Sequence, residues 1–437
     1  MKQIVFVSQV FYPDAMATSQ LFTDLLRELA HKYEDDVKIS VVCGYPSQSR
    51  AFESQEIPRH EIFDGIEIFR CGMAVDVKRS YVARALSYGS FLLGASRRIL
   101  RLRKADEILG VTNPPFLAIL LWALSLLGGF RYKYMLLDIY PEGLIALGDL
   151  AANSFIGRSW KALNGRSYRR AEQLIVLGRD MVPILRTYGV LPERITYIPH
   201  WSAAKITEPI PFAENPYAEK LSLKDRFVVQ YSGNMGLWHD MDTFVRAAAE
   251  LRDAEDIHFL FIGDGIRRAG AEKLAESLNL KNITWMDFVP RSELGKSLTC
   301  CHLALISLRT GLEGIAVPSK LYGILASGRG ILAQVPADSE IGLVVEEEAC
   351  GVAIEPGNAR ELANVIARLA ADRTQVEQMG RNAFAAYGNK YTLTQAVAAF
   401  EALWGLSASS AAARSRAVPG ANKPALPPFS VQKQTPA

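Results

Sequence analysis

Short apolar runs alternate with helix-length segments along most of this chain, and the alternation starts afresh once, near the middle. Gln3 to Val7, Val37 to Val42, Glu67 to Phe69, Glu107 to Val111, Tyr134 to Leu137, Leu174 to Val176 and Ile195 to Ile198 each read as strands. Between the first two, Leu21, Leu25, Leu26 and Leu29 recur at helical spacing. Parallel strands need a crossover, and a helical crossover covers the sheet, so this rhythm specifies a parallel, doubly wound α/β sheet. After the Pro-punctuated stretch from Pro199 to Pro216 the pattern resumes. Strands are expected at Phe227 to Tyr231, His258 to Ile262, Ile283 to Trp285, Leu303 to Ile306, Gly330 to Gln334 and, more weakly, Gly351 to Ile354.

Two Rossmann-like domains follow, residues 1–200 and 201–388, with a closing helical segment at 389–406. A length of 437 residues, 49% of them hydrophobic, suits two cores rather than one. Residues 407–437 offer almost nothing to bury and read as a disordered tail. That tail holds Arg414, Arg416, Lys423 and Lys433 and no acid, so removing its four cations from the formal charge of +3 leaves the body at −1. No bulk basicity points to nucleic acid. Five cysteines without metal-ligand spacing, two of them adjacent at Cys300 and Cys301, suit buried thiols in a reducing compartment. Met1 to Val10 is one lysine followed by a strand-like run, so a secretory leader is not expected.

Three segments carry candidate chemistry. The strand at Phe227 to Tyr231 enters Ser232-Gly233-Asn234-Met235-Gly236 and then a helix. Such a turn brings backbone amides to a diphosphate beside the positive end of a helix, though a tight turn with no ligand uses the same residues. Phe261-Ile262-Gly263-Asp264-Gly265 ends the next strand in the same way, placing two glycine loops on one carboxyl edge. Arg268 behind it is either a fixed cation for a phosphate or a solvated residue at a helix start. The third segment runs from Thr310 to Gly328, where Glu313 offers a carboxylate to sugar hydroxyls and Lys320 falls in a first helical turn. A cation there opposes the helix dipole, which favours an anion-binding role. Asp240-Met241-Asp242 spells a string that holds divalent metal in some nucleotide-sugar enzymes; at a helix start its carboxylates serve the dipole instead, and no metal site is assigned.

The stretch from Ser232 to Gly328 resembles the nucleotide-binding half of the family 4 glycosyltransferases, which have the GT-B fold, and especially the branch that builds bacterial capsular and exopolysaccharide repeat units of the colanic-acid type. The similarity extends to Phe11-Tyr12-Pro13-Asp14, Thr112-Asn113-Pro114-Pro115, Asp138-Ile139-Tyr140-Pro141 and Ile198-Pro199-His200-Trp201. It implies two Rossmann-like domains facing a cleft, with the last helix, around Leu393 to Trp404, packing back on the first. The second domain is then expected to hold a nucleotide sugar and the first an acceptor, with retention at the anomeric carbon. The leaving diphosphate is stabilised electrostatically and can itself take the acceptor's proton, so neither cofactor nor metal is implied.

By the same resemblance Gly233 and Gly236 line the diphosphate, with Gly265 on the adjoining loop. Glu313 and the backbone of Gly314 and Ile315 hold the donor sugar, and Asp138 borders the acceptor. The base is read near Asp287 to Arg291, at Phe288 and Val289. Asn234 and His239 stand where relatives often carry arginine and lysine, so Lys320 and Arg268 are assigned that charge. A ribose-binding glutamate of relatives aligns with Gly323, and a histidine with Leu137.

From Lys78 to Lys104 there are eight cations and no acid, interleaved with Tyr81, Leu86, Tyr88, Phe91, Leu92, Leu93, Ile99 and Leu102; residues 150–171 repeat the bias. Both stretches suit an anionic membrane surface or a solvated helix face, and a polyprenyl-diphosphate-linked glycan as acceptor accounts for their place in the first domain. Phe116 to Phe130 is uncharged but short of the roughly 20 residues that cross a bilayer, and is expected to pack on the sheet. The expected protein is thus a UDP-sugar-dependent hexosyl- or N-acetylhexosaminyltransferase, peripheral on the cytoplasmic face of the inner membrane. Two other classes stay open: an enzyme like the UDP-N-acetylglucosamine 2-epimerases, and a degenerate nucleotide-sugar-binding protein.

Overall fold

A computed structural model describes residues 1–14, 16–46, 57–74, 81–204 and 206–406. Lys78, Arg79 and the tail 407–437 lie outside the described residues. The chain forms two units, Met1–Pro199 rejoined by the chain from Leu393, and His200–Thr392.

The first unit is built on an eight-stranded sheet whose strands, in chain order, are β1 (Lys2–Val7), β2 (Val37–Cys43), β3 (His60–Phe63), β4 (Ile66–Arg70), β5 (Glu107–Val111), β6 (Lys133–Leu136), β7 (Gln173–Val176) and β8 (Ile195–Tyr197). They lie in the order β3-β4-β2-β1-β5-β6-β7-β8, all parallel except the β3–β4 hairpin. Sequence patterning misses β3, because an edge strand of two charged-type and two apolar residues leaves no buried run. Its turn is Asp64-Gly65 with φ of 46° and 77°, the left-handed pair that two-residue hairpins require.

The uncharged segment forms the helix Leu117–Gly128 and buries Leu117, Ala118, Leu121 and Leu124 against its own unit, while Leu126 and Leu127 face outward. Gly129, at φ 66°, stops it. No helix among the described residues is long and apolar enough to cross a membrane. The last helix, Leu393–Trp404, belongs to this unit. Phe400 and Trp404 are buried, Lys32 pairs with Glu401 at 2.5 Å, and Lys2 donates to the Trp404 carbonyl. The expected break at 388 falls inside the helix Arg373–Lys390, so the passage between units comes at 392–393.

The second unit carries six parallel strands: β9 (Phe227–Ser232), β10 (Ile257–Ile262), β11 (Ile283–Met286), β12 (Leu303–Ser307), β13 (Gly330–Gln334) and β14 (Gly351–Ile354). Their order is β11-β10-β9-β12-β13-β14. The helix Met241–Glu250 turns Phe244, Val245 and Ala248 inward and the helix Ala359–Ala371 adds Leu362 and Ile366, closing one core with Phe227, Val229 and Phe259. Each such phenylalanine or leucine stabilises the unit by about 1.5–3 kcal/mol on burial. The winding runs outward from β9 to β11 on one side, then jumps back to β12 and runs outward on the other. The carboxyl ends of β9 and β12 therefore flank a topological switch point, where connecting loops diverge and leave a crevice.

Candidate active site

Four hydrogen bonds stitch the loops beyond β9 and β12 together. The Asp240 N–H donates to the Ser307 hydroxyl at 2.9 Å, His239 Nδ1 lies 2.7 Å from the Ser307 carbonyl, and Arg309 donates from its backbone N–H to Trp238 O at 3.0 Å and from its side chain to Leu237 O at 3.3 Å. A carbonyl only accepts, so neutral His239 carries its proton on Nδ1. Burial, then the nearby Lys320 charge, pushes its pKa down to about 3.

Lys320 is the first residue of the helix Lys320–Ala326 and points back at β9. Its ammonium donates to the Tyr231 hydroxyl and sits 3.8 Å from the centre of that ring. Among the described residues no carboxylate pairs with it, and burial alone holds its pKa well below that of an ordinary lysine. Tyr231 also donates to the Asn234 carbonyl at 2.8 Å, so one buried phenol fixes both the lysine and the glycine loop. Neither Tyr231 nor Ser307 was singled out from the sequence. Each reads as an ordinary strand residue, and only its place at the end of a strand beside the switch point marks it.

Gly233 sits at φ 133°, a backbone conformation that L side chains rarely adopt, and a Cβ there would lie in ordinary contact, 3.7 Å, with the Lys320 side chain. Its own N–H is already committed to Ile262 O at 2.9 Å. The amides left over are those of Asn234, Gly236, Leu237 and Trp238, which donate to no acceptor among the described residues. These N–H groups lie in the loop that Tyr231 ties to Lys320, and among the described residues no carboxylate pairs with that lysine.

The second glycine loop packs directly on the first. A Cβ on Gly263 would meet the Gly233 carbonyl oxygen at 2.1 Å, and one on Gly265 would meet the Met235 carbonyl oxygen at 2.5 Å. These glycines let the two loops pack on each other. Arg268 is engaged as well. Its Nε donates to Glu272 at 2.7 Å, and one Nη to Gly263 O at 2.7 Å and to Asp287 at 2.5 Å. The two carboxylates raise its pKa against the opposing effect of burial. The side chain thus braces the β10 loop against the end of β11 with most of its donors in use. Phe288, exposed, lies at that end against Gly263, followed by half-buried Val289.

Glu313 lies in the loop between β12 and the Lys320 helix and accepts from the Gly311 N–H at 2.7 Å. Gly314 follows at φ 70°, and the Ile315 N–H closes a turn onto Leu312 O at 3.1 Å. Asp240 caps the helix Met241–Glu250, accepting from Thr243 N–H at 3.2 Å and from Gln334 at 3.3 Å. Its carboxylate is used for folding, as its position at a helix start suggests.

Asp138 belongs to the first unit, two residues beyond β6. The turn that holds it is fixed by Asn164, which donates to Tyr140 O at 2.6 Å, and by Lys161, 3.2 Å from Glu142. Burial raises the Asp138 pKa to about 7.

Residues 214–386 match the family described as glycosyl transferases group 1. The chain carries a glycosyl transferase group 1 domain. That domain contains the whole switch-point site, from Tyr231 to Lys320. The chain is 29% identical over 266 residues to a probable glycosyltransferase, WbjE, of Pseudomonas aeruginosa, a match that covers 61% of this chain and 66% of that relative's length. It is 26% identical over 360 residues to the putative colanic acid biosynthesis glycosyl transferase WcaI of Escherichia coli K12, covering 78% of this chain and 88% of the relative. Among solved structures it resembles the sucrose-phosphate synthase of Thermosynechococcus elongatus, with a TM-score of 0.74 at 15% identity over 93% of this chain and 98% of that one. It also resembles Anabaena HepE in complex with UDP-glucose, with a TM-score of 0.66 at 16% identity over 93% and 100%. The group 1 domain and the unit before it have the two-sheet GT-B fold.

Proposed function

We propose that this protein is a retaining glycosyltransferase that takes a hexose, N-acetylhexosamine or deoxy-amino sugar from a UDP-sugar. It adds the sugar to a polyprenyl-diphosphate-linked glycan during assembly of a cell-surface polysaccharide. The observation that carries this reading is the unpaired Lys320 ammonium among four uncommitted amides at the switch point of the second sheet. A pyrophosphate satisfies all of them at once. Its negative charge also restores the protonated form of a lysine that burial disfavours.

As the anomeric bond breaks, charge grows on the departing diphosphate, and fixed donors aimed at that charge lower the barrier without a metal or other cofactor. Glu313 and the turn at Gly314 and Ile315 are assigned to the donor sugar, and Phe288 and Val289 to the base. HepE was solved with UDP-glucose and WcaI is named for colanic acid biosynthesis, which supports the donor class and the pathway class.

The first unit is assigned the acceptor and an anionic membrane surface at the cytoplasmic face. On the helix Tyr81–Arg101, Leu86 and Leu93 are exposed on the same helix as Arg97 and Arg101, while Phe91 and Ile99 are buried. In the second basic stretch Phe155 and Ile156 are exposed beside Arg158.

Thermal unfolding in the presence of nucleotides tests the donor. UDP is expected to raise the midpoint more than GDP or ADP at equal concentration, and equal responses would remove the nucleotide assignment.

A further inference from the structure

The helix Leu117–Gly128 is apolar on every side, a composition that belongs in an interior, yet it forms part of the first unit's surface. Its inner side buries Leu117, Ala118, Leu121 and Leu124. Its outer side begins at the cap residue Phe116 and runs through half-buried Ile119, Leu120 and Ala123 to Leu126 and Leu127, a stripe at helical spacing without a polar side chain. Phe116, Leu126 and Leu127 are 40%, 56% and 81% exposed. A helix that meets only water carries polar residues along such a stripe, and a contiguous apolar strip in their place marks a contact surface.

The helices on either side supply charge of one sign. Tyr81–Arg101 packs against it with Leu100 beside Gly128. Phe155–Arg170 is joined to it along its length: the Trp160 ring stacks 4.4 Å from Phe116, Ser167 Oγ donates to Ala118 O at 2.6 Å, and Arg170 donates to Ser125 Oγ at 3.4 Å. The outer stripe of the first neighbour reads Val82, Leu86, Leu93, Arg97 and Arg101, and that of the second reads Phe155, Arg158, Ala162 and Arg166, all exposed. Neither helix holds an acid. Arg97, Arg101, Arg158 and Arg166 pair with no carboxylate among the described residues, whereas Lys161 is matched by Glu142 at 3.2 Å. The helix Ala17–Lys32 of the same unit differs, since its Arg27 and Lys32 are each met by a carboxylate, of Asp64 and Glu401.

We propose that the helix Leu117–Gly128 is an in-plane anchor that sinks its outer stripe into an anionic bilayer, with the unpaired arginines of its two neighbours on the lipid phosphates. This rests on the assignment of the first unit to a membrane surface and names the element that enters it. Its 12 residues, at about 1.5 Å each, fall well short of a hydrocarbon core about 30 Å thick, so the helix lies along the surface. Long arginine stems let the guanidinium groups stay at the level of the phosphates while the leucines go deeper. A second copy of this chain is the other apolar partner to weigh. A two-fold contact over this face would set unpaired arginines against their own counterparts, which like charge opposes, whereas a lipid surface supplies the missing anions.

Co-sedimentation of the full chain with phosphatidylcholine vesicles, with and without phosphatidylglycerol, tests this, and thermal unfolding with UDP is followed in parallel. Wild type is expected to bind the phosphatidylglycerol vesicles and to bind them less well at about 1 M salt than at about 0.1 M. Leu126→Gln combined with Leu127→Gln should weaken binding on the order of tenfold or more. Arg158→Gln combined with Arg166→Gln should weaken it about fivefold for each cation removed. Leu191→Gln, exposed in the same unit but outside these three helices, should bind like wild type. Every substitution is of an exposed side chain, so the melting midpoint and the UDP increment should be kept. Full binding by the leucine pair would place the attachment elsewhere on the chain and overturn the proposal. So would equal binding to phosphatidylcholine alone, or a wild type that self-associates in analytical ultracentrifugation where the leucine pair is monomeric, which would make this face an interface between copies. Vesicle binding of the expected pattern without a UDP response would uphold the anchor and remove the donor reading, while a UDP response without vesicle binding would do the reverse.

Discussion

Replacing Gly263 by alanine strikes the contact between the two glycine loops on which the proposed donor site rests. The added Cβ would stand 2.1 Å from the Gly233 carbonyl oxygen and 2.9 Å from its carbon, both backbone atoms that no rotamer change can move. The residue sits at φ 132°, where a non-glycine side chain costs about 1–3 kcal/mol. Separating the loops to relieve the clash weakens the bonds from Gly233 N–H to Ile262 O and from Met235 N–H to Asp264 O, at about 1 kcal/mol each. The sum is about 3–5 kcal/mol. In a unit of this size each kcal/mol moves the midpoint by about 2–4 °C, so a fall on the order of 10 °C is expected. Gly270→Ala is the control. It lies in the helix Arg268–Ser277 with nothing within 4 Å of the new Cβ, and should gain about 0.5–1 kcal/mol. Differential scanning fluorimetry with and without UDP reads both effects. Gly263→Ala should lower the midpoint and lose the UDP increment, while Gly270→Ala should keep it. A Gly263→Ala protein that melts and binds UDP like wild type would refute the argument that the two loops form one packed unit.

Lys320→Ala removes the cation and should weaken UDP at least tenfold in a calorimetric titration; unchanged affinity would put the diphosphate elsewhere. Tyr231→Phe keeps the ring under the ammonium but loses the phenol's two hydrogen bonds, so donor KM should rise several-fold, and an unaltered KM would deny Tyr231 a positioning role. Acidification should destabilise the fold. His200, His239, His258 and His302 have pKa values pushed by burial to about 4, 3, 4 and 3, so between about pH 6.5 and those values the unfolded chain binds more protons and stability is lost as pH falls. Asp138, raised to about 7, acts with the opposite sign but is one group against four. A midpoint that holds or rises from pH 6.5 to pH 4 would contradict this balance.

The two sheets were legible because buried parallel strands are nearly continuous apolar runs, as in Ile4 to Val7 or Phe259 to Ile262, and every strand of that kind was located to within about two residues. The edge strand His60–Phe63 was not, since its alternation depends on a turn and a neighbouring strand. At the site, glycine spacing located both loops but could not separate their tasks. A Cβ on Gly233 would touch only the Lys320 side chain, whereas Gly263 and Gly265 accommodate a neighbouring backbone, and only coordinates distinguish the two. Arg268 illustrates a second limit. Its charge is visible in the sequence, while its engagement by Glu272 and Asp287 arises from the fold. That burial raises the Asp138 carboxyl to about 7 likewise arises from the fold and not from residue order.

The most direct test is a crystal structure of the protein with UDP-glucose. The pyrophosphate should lie against the amides of residues 234–238, within hydrogen-bonding distance of Lys320 Nζ, with the glucose toward Glu313. Density for the nucleotide at any other place, with that rim unoccupied, would contradict the account.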